Sequence, residues 1–248
     1  TGKSFLMCLL AVETCLRNPN VIVKYACPKQ KMVKTILKPI MRTILEDCPE
    51  ELMPEYKEAD KLYVFKNGSE IQMAGCDNQN YDNIRGGRSH LWIVDEAGFC
   101  DELNTVVRSV LIPTTTTTNG KGILASTPDP ENSEHEFIKE FIEPAELDGS
   151  LFKFTIDDNP MITEEQKKKI ENTYPGGRNN PRFRAEFLVE IVRNAESMVI
   201  PEFDGEAEKD VVTDWKRPSY FDVYLSMDIG GKDFTAILFA YYDFLKAT

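Results

Sequence analysis

Apolar side chains recur on most faces of the helical period between Ser4 and Arg17, which predicts a helix that is largely buried. Asn18-Pro19-Asn20 stops it, and the short run Val21–Ala26 reads as a strand. A second helix is expected from Lys29 towards Glu46, kinked or split at Pro39. Leu62–Phe65 and Ser69–Met73 flank Asn67-Gly68, a strong hairpin signal. Leu91–Val94 and Gly122–Ala125 are apolar without alternation, as in parallel strands covered on both faces. Strands interleaved with helices in this way predict an α/β sandwich.

After Phe154 the texture changes. Thr163-Glu164-Glu165-Gln166 is a capping box that opens a short charged helix, Tyr174-Pro175-Gly176-Gly177 breaks it, and another helix is expected over about Asn180–Val189. Pro201 to Pro218 is acidic and weakly patterned, which suits a linker. Val223–Ile229 and Phe234–Tyr242 then read as two strands around Gly230-Gly231-Lys232-Asp233. The divisions expected are residues 1–150, 151–217 and 218–248.

Composition narrows the class. With 42% hydrophobic residues in 248, the chain has enough apolar surface for a core and is no disordered or collagenous polymer. Its uncharged apolar runs are far shorter than the ~20 residues of a membrane helix, so a soluble protein is expected. Six cysteines without a C-x-x-C pair read as buried, reduced thiols rather than disulfides or a zinc site. The chain starts without Met and inside a motif, which reads as a fragment. The net charge of −12 argues against a protein that coats nucleic acid, but the charge is uneven. No acid lies between Glu13 and Glu46, where Arg17, Lys24, Lys29, Lys31, Lys34, Lys38 and Arg42 predict one local basic surface.

Three motifs carry candidate chemistry. Thr1-Gly2-Lys3-Ser4 is the second half of G-x-x-x-x-G-K-[ST], in which Lys meets the β/γ-phosphates and the hydroxyl meets Mg²⁺; alone, so short a match also arises by chance. Leu91–Val94 delivers Asp95 and Glu96 at a strand end, the Walker B pattern, in which the first acid holds Mg²⁺ through water and the second polarises the attacking water. Acids at that point also suit the cap of a following helix. Ser126-Thr127-Pro128 ends a further apolar strand, where hydroxyls either sense a γ-phosphate or make an ordinary strand-to-turn transition. Their order, each at the end of a strand in an α/β frame, favours a nucleotide-driven motor.

In that order, Gly2-Lys3-Ser4, Asp95-Glu96-Ala97, Ser126-Thr127-Pro128, Asp158-Asn159-Pro160, Phe183-Arg184-Ala185-Glu186-Phe187 and Ser226-Met227-Asp228-Ile229-Gly230-Gly231 resemble the large terminase subunit of tailed bacteriophages, over nearly the whole chain. The resemblance implies a P-loop three-layer sandwich with a mainly parallel sheet, a small helical second subdomain, and the first hairpin of a ribonuclease-H-like nuclease. It implies an ATPase that pumps double-stranded DNA into a procapsid, with a nuclease that cuts concatemeric DNA. ATP and Mg²⁺ would serve the first site, and Mg²⁺ or Mn²⁺ the second. The implied partners are the portal protein, the small terminase subunit and further copies in a ring, in the cytoplasm of an infected host cell. By position, Gly2, Lys3, Ser4 and Asp95 would bind nucleotide and Mg²⁺, Glu96 would be the catalytic carboxylate, and Ser126-Thr127 the coupling motif. Asp228 would be the first nuclease metal ligand, with Asp233 assisting or serving only the turn. An upstream P-loop half and most nuclease carboxylates are missing from the match, so cutting by this chain alone is not expected.

Arg85, ahead of Arg88 on the loop Arg85-Gly86-Gly87-Arg88, resembles the family's trans-acting finger; a local bond to loop carbonyls or to Asp82 is the alternative. Lys31, Lys34, Lys38 and Arg42 share one helical face, either a DNA-tracking surface or a solvated one. His90 and His135 read as structural, and Thr114–Thr118 as a polar loop. A nucleic-acid helicase shares these motifs but would carry a second P-loop-like lobe after the linker, and a catalytically inactive docking module is the third class.

Overall fold

The computed structural model describes residues 2–132, 135–192, 222–228 and 236–240. They fall in two compact units, Thr1–Asn194 and Ala195–Thr248.

The first unit is built on a six-stranded sheet. Its strands are β1 (Ile22–Cys27), β2 (Glu55–Lys57), β3 (Leu62–Val64), β4 (Glu70–Gly75), β5 (Leu91–Asp95) and β6 (Lys121–Ala125), ordered β2-β3-β4-β1-β5-β6. The pairs β4/β1, β1/β5 and β5/β6 are parallel, and the β2–β3–β4 edge is antiparallel. The expected hairpin is the β3–β4 turn, where Gly68 takes φ +83° and Phe65 N–H donates to Ser69 O at 2.8 Å. Strand β2, short and polar, carries no periodic signal.

Alternate residues of the central strands face two separate cores, which gives the sheet a helical layer on either side. Val23, Tyr25, Ile71 and Ile93 pack with α1 (Lys3–Arg17) and with α2, over residues 30–44. Ala26, Ala74, Trp92 and Val94 pack with α3, over residues 105–114, and with α4, over residues 137–148. This is the expected α/β sandwich with a mostly parallel central sheet.

Two burial expectations fail for the same geometric reason. Helix α1 buries Met7, Cys8, Ala11, Val12 and Cys15 against the sheet, yet Phe5, Leu6, Leu9 and Leu16 stay 38–47% exposed. Strand β6 is parallel but outermost among the described residues, so Lys121 and Gly122 are exposed and Ile123, Leu124 and Ala125 only half-buried. An outer element has one neighbour where a central one has two.

Helix α2 runs through Gln30–Met32, a π-helical turn at Val33–Leu37, and Lys38–Ile44. Pro39 thus divides the helix into stretches without ending it. The same device recurs twice: π-helical Thr105–Leu111 precedes Pro113, and π-helical Phe137–Ile142 precedes Pro144. A proline lacks the N–H for the preceding turn and its ring crowds that turn's carbonyl, so widening the turn lets the helix continue.

The capping box is present: Gln166 N–H donates to Thr163 Oγ1 and Thr163 N–H to Gln166 Oε1, opening α5 (Glu164–Glu171). Asn180 Oδ1 caps α6 (Pro181–Phe187), which ends two residues before Val189, a β-branched residue at φ +55°. All six cysteines are free and five are buried; Cys100 Sγ lies 3.3 Å from Cys76 Sγ. Among the described residues no helix is long and apolar enough to cross a membrane.

The second unit contains the expected hairpin, β7 (Tyr224–Asp228) antiparallel to β8 (Ala236–Ala240), with Asp228 opposite Ala236. The linker reading of 201–218, and Asp233, lie outside the described residues.

Candidate active site

Helix α1 opens at Lys3 with Gly2 as its N-cap and no acid in the first turn, an electrostatically positive end suited to an anion. Lys3 and Ser4 are half-buried there. Across from it, β5 ends in Asp95, only 2% exposed. Asp95 Oδ2 accepts from Tyr25 Oη at 3.1 Å and Oδ1 accepts from Glu96 N–H at 3.1 Å. These two donors satisfy oxygens that burial removes from water. The next residue, Glu96, takes φ +51°, the left-handed region that costs a side-chain-bearing residue strain. That turn carries Glu96 away from the strand direction, and its Oε1 lies 3.6 Å from Lys3 Nζ.

Burial pushes the Glu96 carboxyl above the ordinary carboxylate range; Lys3 opposes this, while Asp95 and Glu186 add to it. A glutamate so placed holds its proton more readily than a solvated one, the property wanted of a group that takes a proton from water.

The third motif closes the site from β6. Gly98 N–H donates to Ser126 Oγ at 3.0 Å, and Ser126 Oγ donates to Thr127 O at 2.9 Å. A Cβ on Gly98 would come within 2.9 Å of Ser126 Oγ, so the two turns meet closely. Thr127, 4% exposed, donates through Oγ1 to Glu186 Oε2 at 3.3 Å. Sequence reasoning assigns Glu186 no role of its own, because its partner lies 59 residues away and no local pattern links them. Tyr25 is hidden likewise, as one apolar position in a buried strand.

The hydroxyl of Ser4 and the carboxylate of Asp95 are hard oxygen donors that suit Mg²⁺. Among the described residues no cluster of three or more His, Cys, Asp or Glu forms a protein-only cage. That donor set fits a cation whose remaining ligands are water and phosphate oxygens.

Arg85 sits on the loop before β5, its Nε donating to Asp82 Oδ1 at 2.6 Å and its Nη1 to Ser109 O at 3.3 Å. Arg88 is exposed with no ion pair among the described residues. The basic surface needs correction. Lys24 is 1% exposed, because β1 is central and both its faces are covered. Arg17 pairs with Glu13, and Lys38 pairs with Glu58 and stacks over Tyr56. Lys29, Lys31, Lys34 and Arg42 are exposed without an ion pair among the described residues, the last three on a stripe beside buried Val33, Leu37, Met41 and Leu45. Both histidines are structural, as expected: Ile22 N–H donates to His90 Nδ1, and His135 bridges Phe137 N–H and Cys100 O.

Residues 1–204 match the family described as terminase large subunit, T4likevirus-type, N-terminal. No curated protein matches the chain. Among solved structures, the large terminase of a thermophilic bacteriophage matches with a TM-score of 0.62 and 18% identity, covering 99% of this chain and 61% of that one. The same phage's large terminase in complex with ADP gives 0.63 and 17%, covering 98% and 58%. The bacteriophage HK97 large terminase gives 0.61 and 13%, covering 98% and 55%. At such identities the likeness is one of fold. The chain thus spans about three fifths of the length of these proteins.

Proposed function

Since the chain belongs to the terminase large subunit family of the T4-like-virus type, we propose that it carries the ATP-hydrolysing part of a viral DNA-packaging motor. The observation that supports this most is the convergence of three separate chain segments: the start of α1, the end of β5 and the turn after β6. They bring Lys3 to 3.6 Å from Glu96 and join Gly98 to Ser126. Neither core packing nor a helix cap requires a lysine, two adjacent acids and two hydroxyls together at the ends of neighbouring strands.

In this reading Lys3, 3.6 Å from Glu96, meets the β- and γ-phosphates of ATP. Glu96, its carboxyl raised by burial, accepts a proton from the attacking water. Asp95, fixed by Tyr25, and the Ser4 hydroxyl would hold Mg²⁺, which would supply positive charge against the phosphates. Thr127 passes the loss of phosphate to α6 through Glu186. Arg85 serves a neighbouring subunit's ATP in the ring, which requires it to leave Asp82.

Residues 1–150 form the ATPase core and 151–217 its second subdomain. Residues 218–248 would begin a nuclease, in which Asp228, with Asp233 nearby in sequence, would be the first ligand of Mg²⁺ or Mn²⁺ once the other carboxylates of the full subunit are present. Lys31, Lys34 and Arg42, with Lys38 where Glu58 yields it, contact phosphates of double-stranded DNA without regard to sequence. The portal protein and small terminase subunit are partners of the assembled ring, in the host cytoplasm. Lys3→Ala in the full subunit abolishes nucleotide binding, whereas Glu96→Gln retains binding and loses hydrolysis. Normal turnover in Glu96→Gln overturns the assignment.

A further inference from the structure

Lys24 lies in the middle of β1, opposite Gln72 of β4 and Trp92 of β5, and is 1% exposed. Its ammonium meets no carboxylate among the described residues. Nζ donates to Ile84 O at 2.7 Å and also to Gly86 O. A buried charge without a counter-charge is costly, and burial here lowers the readiness of Lys24 to hold its proton. A methionine would fill the same space in the sheet, so packing alone does not account for an ammonium at this position.

The two carbonyls it holds flank Arg85, one from the residue before and one from the residue after. Gly86 and Gly87 take φ +75° and +63°, and a Cβ at either would meet nothing within 4 Å. These glycines are therefore needed for backbone conformation, not for room. The turn they make brings Gly86 O within reach of Lys24 Nζ. The loop is closed on either side by two further bonds, Arg85 N–H to Asp82 O at 3.1 Å and Ser89 N–H to Thr114 O at 2.8 Å.

We propose that Lys24 is a positioning residue, whose ammonium pins the backbone on both sides of Arg85 and so gives the arginine loop a fixed base from which to reach a neighbouring subunit. The inference rests on the reading of Arg85 as a trans-acting group. Anchored backbone with a releasable side chain is what such a group needs. Arg85 gives up Asp82 and Ser109 by rotating about its own bonds, while its Cα stays where the lysine holds it.

Hydrogen exchange on the full subunit tests the anchor separately from the arginine. In Lys24→Met the Arg85 and Ser89 amides should exchange about tenfold faster or more, while those of Ile93 and Val94 in β5 keep their protection. Nucleotide affinity should be unchanged. DNA-dependent ATPase of the assembled ring should fall about tenfold or more, with no further loss when Lys24→Met is added to Arg85→Ala. Lys24→Arg, which retains donors for both carbonyls, should restore protection in part. Wild-type exchange at Arg85 and Ser89 in Lys24→Met overturns the anchoring role. A loosened loop with full ring ATPase shows that Arg85 needs no fixed base and overturns the proposal, whereas full ring ATPase in Arg85→Ala overturns the reading of Arg85 itself. Should Lys24→Met not fold, Lys24→Gln carries the same comparison, and unchanged exchange there overturns the proposal equally.

Discussion

Replacing Glu96 by Gln removes one charge and little else, and two effects compete in its consequence for stability. The ion pair with Lys3 spans 3.6 Å between side chains that are each 25% exposed, so its loss costs at most about 1 kcal/mol. Against this stands the burial of the carboxylate, the largest influence on Glu96, which outweighs Lys3 and leaves the carboxyl raised. A group raised on folding binds its proton more readily in the native state. Stability attached to it is therefore present at low pH and lost as the pH climbs from the ordinary glutamate value of 4.5 through the raised native one. Above that window native Glu96 is held ionised at a cost, which Gln does not bear. Glu96→Gln should thus leave stability at pH 7 unchanged or raise it by up to about 1 kcal/mol, a rise of a few degrees in Tm for a chain of this size. At pH 4 the two proteins should unfold together. The same change should lower ATP turnover by about 10²–10⁴-fold, the usual contribution of a general base. Urea unfolding at the two pH values, with steady-state ATPase, provides the check. A marked loss of stability at pH 7 would show that the Lys3 pair outweighs burial and that Glu96 is a structural anion.

Further outcomes follow from single contacts. Tyr25→Phe deletes the hydroxyl that donates to buried Asp95 while keeping the ring, and should cost about 1.5–3 kcal/mol in urea unfolding; the cost should largely disappear in an Asp95→Asn background. Gly122→Ala drives a Cβ into the Trp92 ring, so it should destabilise by about 1–3 kcal/mol and shift tryptophan fluorescence. Lys31→Ala with Lys34→Ala should weaken duplex binding equally across sequences and flatten its salt dependence by about two slope units, whereas an unchanged slope returns that stripe to plain solvation.

What the sequence revealed was local and what it concealed was not. Strands β1, β5 and β6, the Asn67-Gly68 turn and the Thr163 box are written in neighbouring residues, and all appear where expected. The direction of Lys24 is different. A lysine in an apolar strand reads as surface, and only the sheet order, with β4 and β5 on either side, puts it indoors. The exposed Phe5, Leu6 and Leu9 err the opposite way, because periodicity reports apolar faces but not how many of them find a partner. The motif residues Lys3, Glu96 and Ser126 were readable one by one. That Tyr25 fixes Asp95 and Glu186 reaches Thr127 depends on pairings 70 and 59 residues apart. The three π-helical turns follow from Pro39, Pro113 and Pro144, which single-residue propensity treats as helix breaks.

The most direct measurement is DNA packaging by the assembled motor, scored as double-stranded DNA that becomes resistant to nuclease inside procapsids. The account predicts protected DNA with the wild-type subunit and ATP, and none with Glu96→Gln, although that variant binds ATP and joins the ring. Packaging sustained by Glu96→Gln would contradict it.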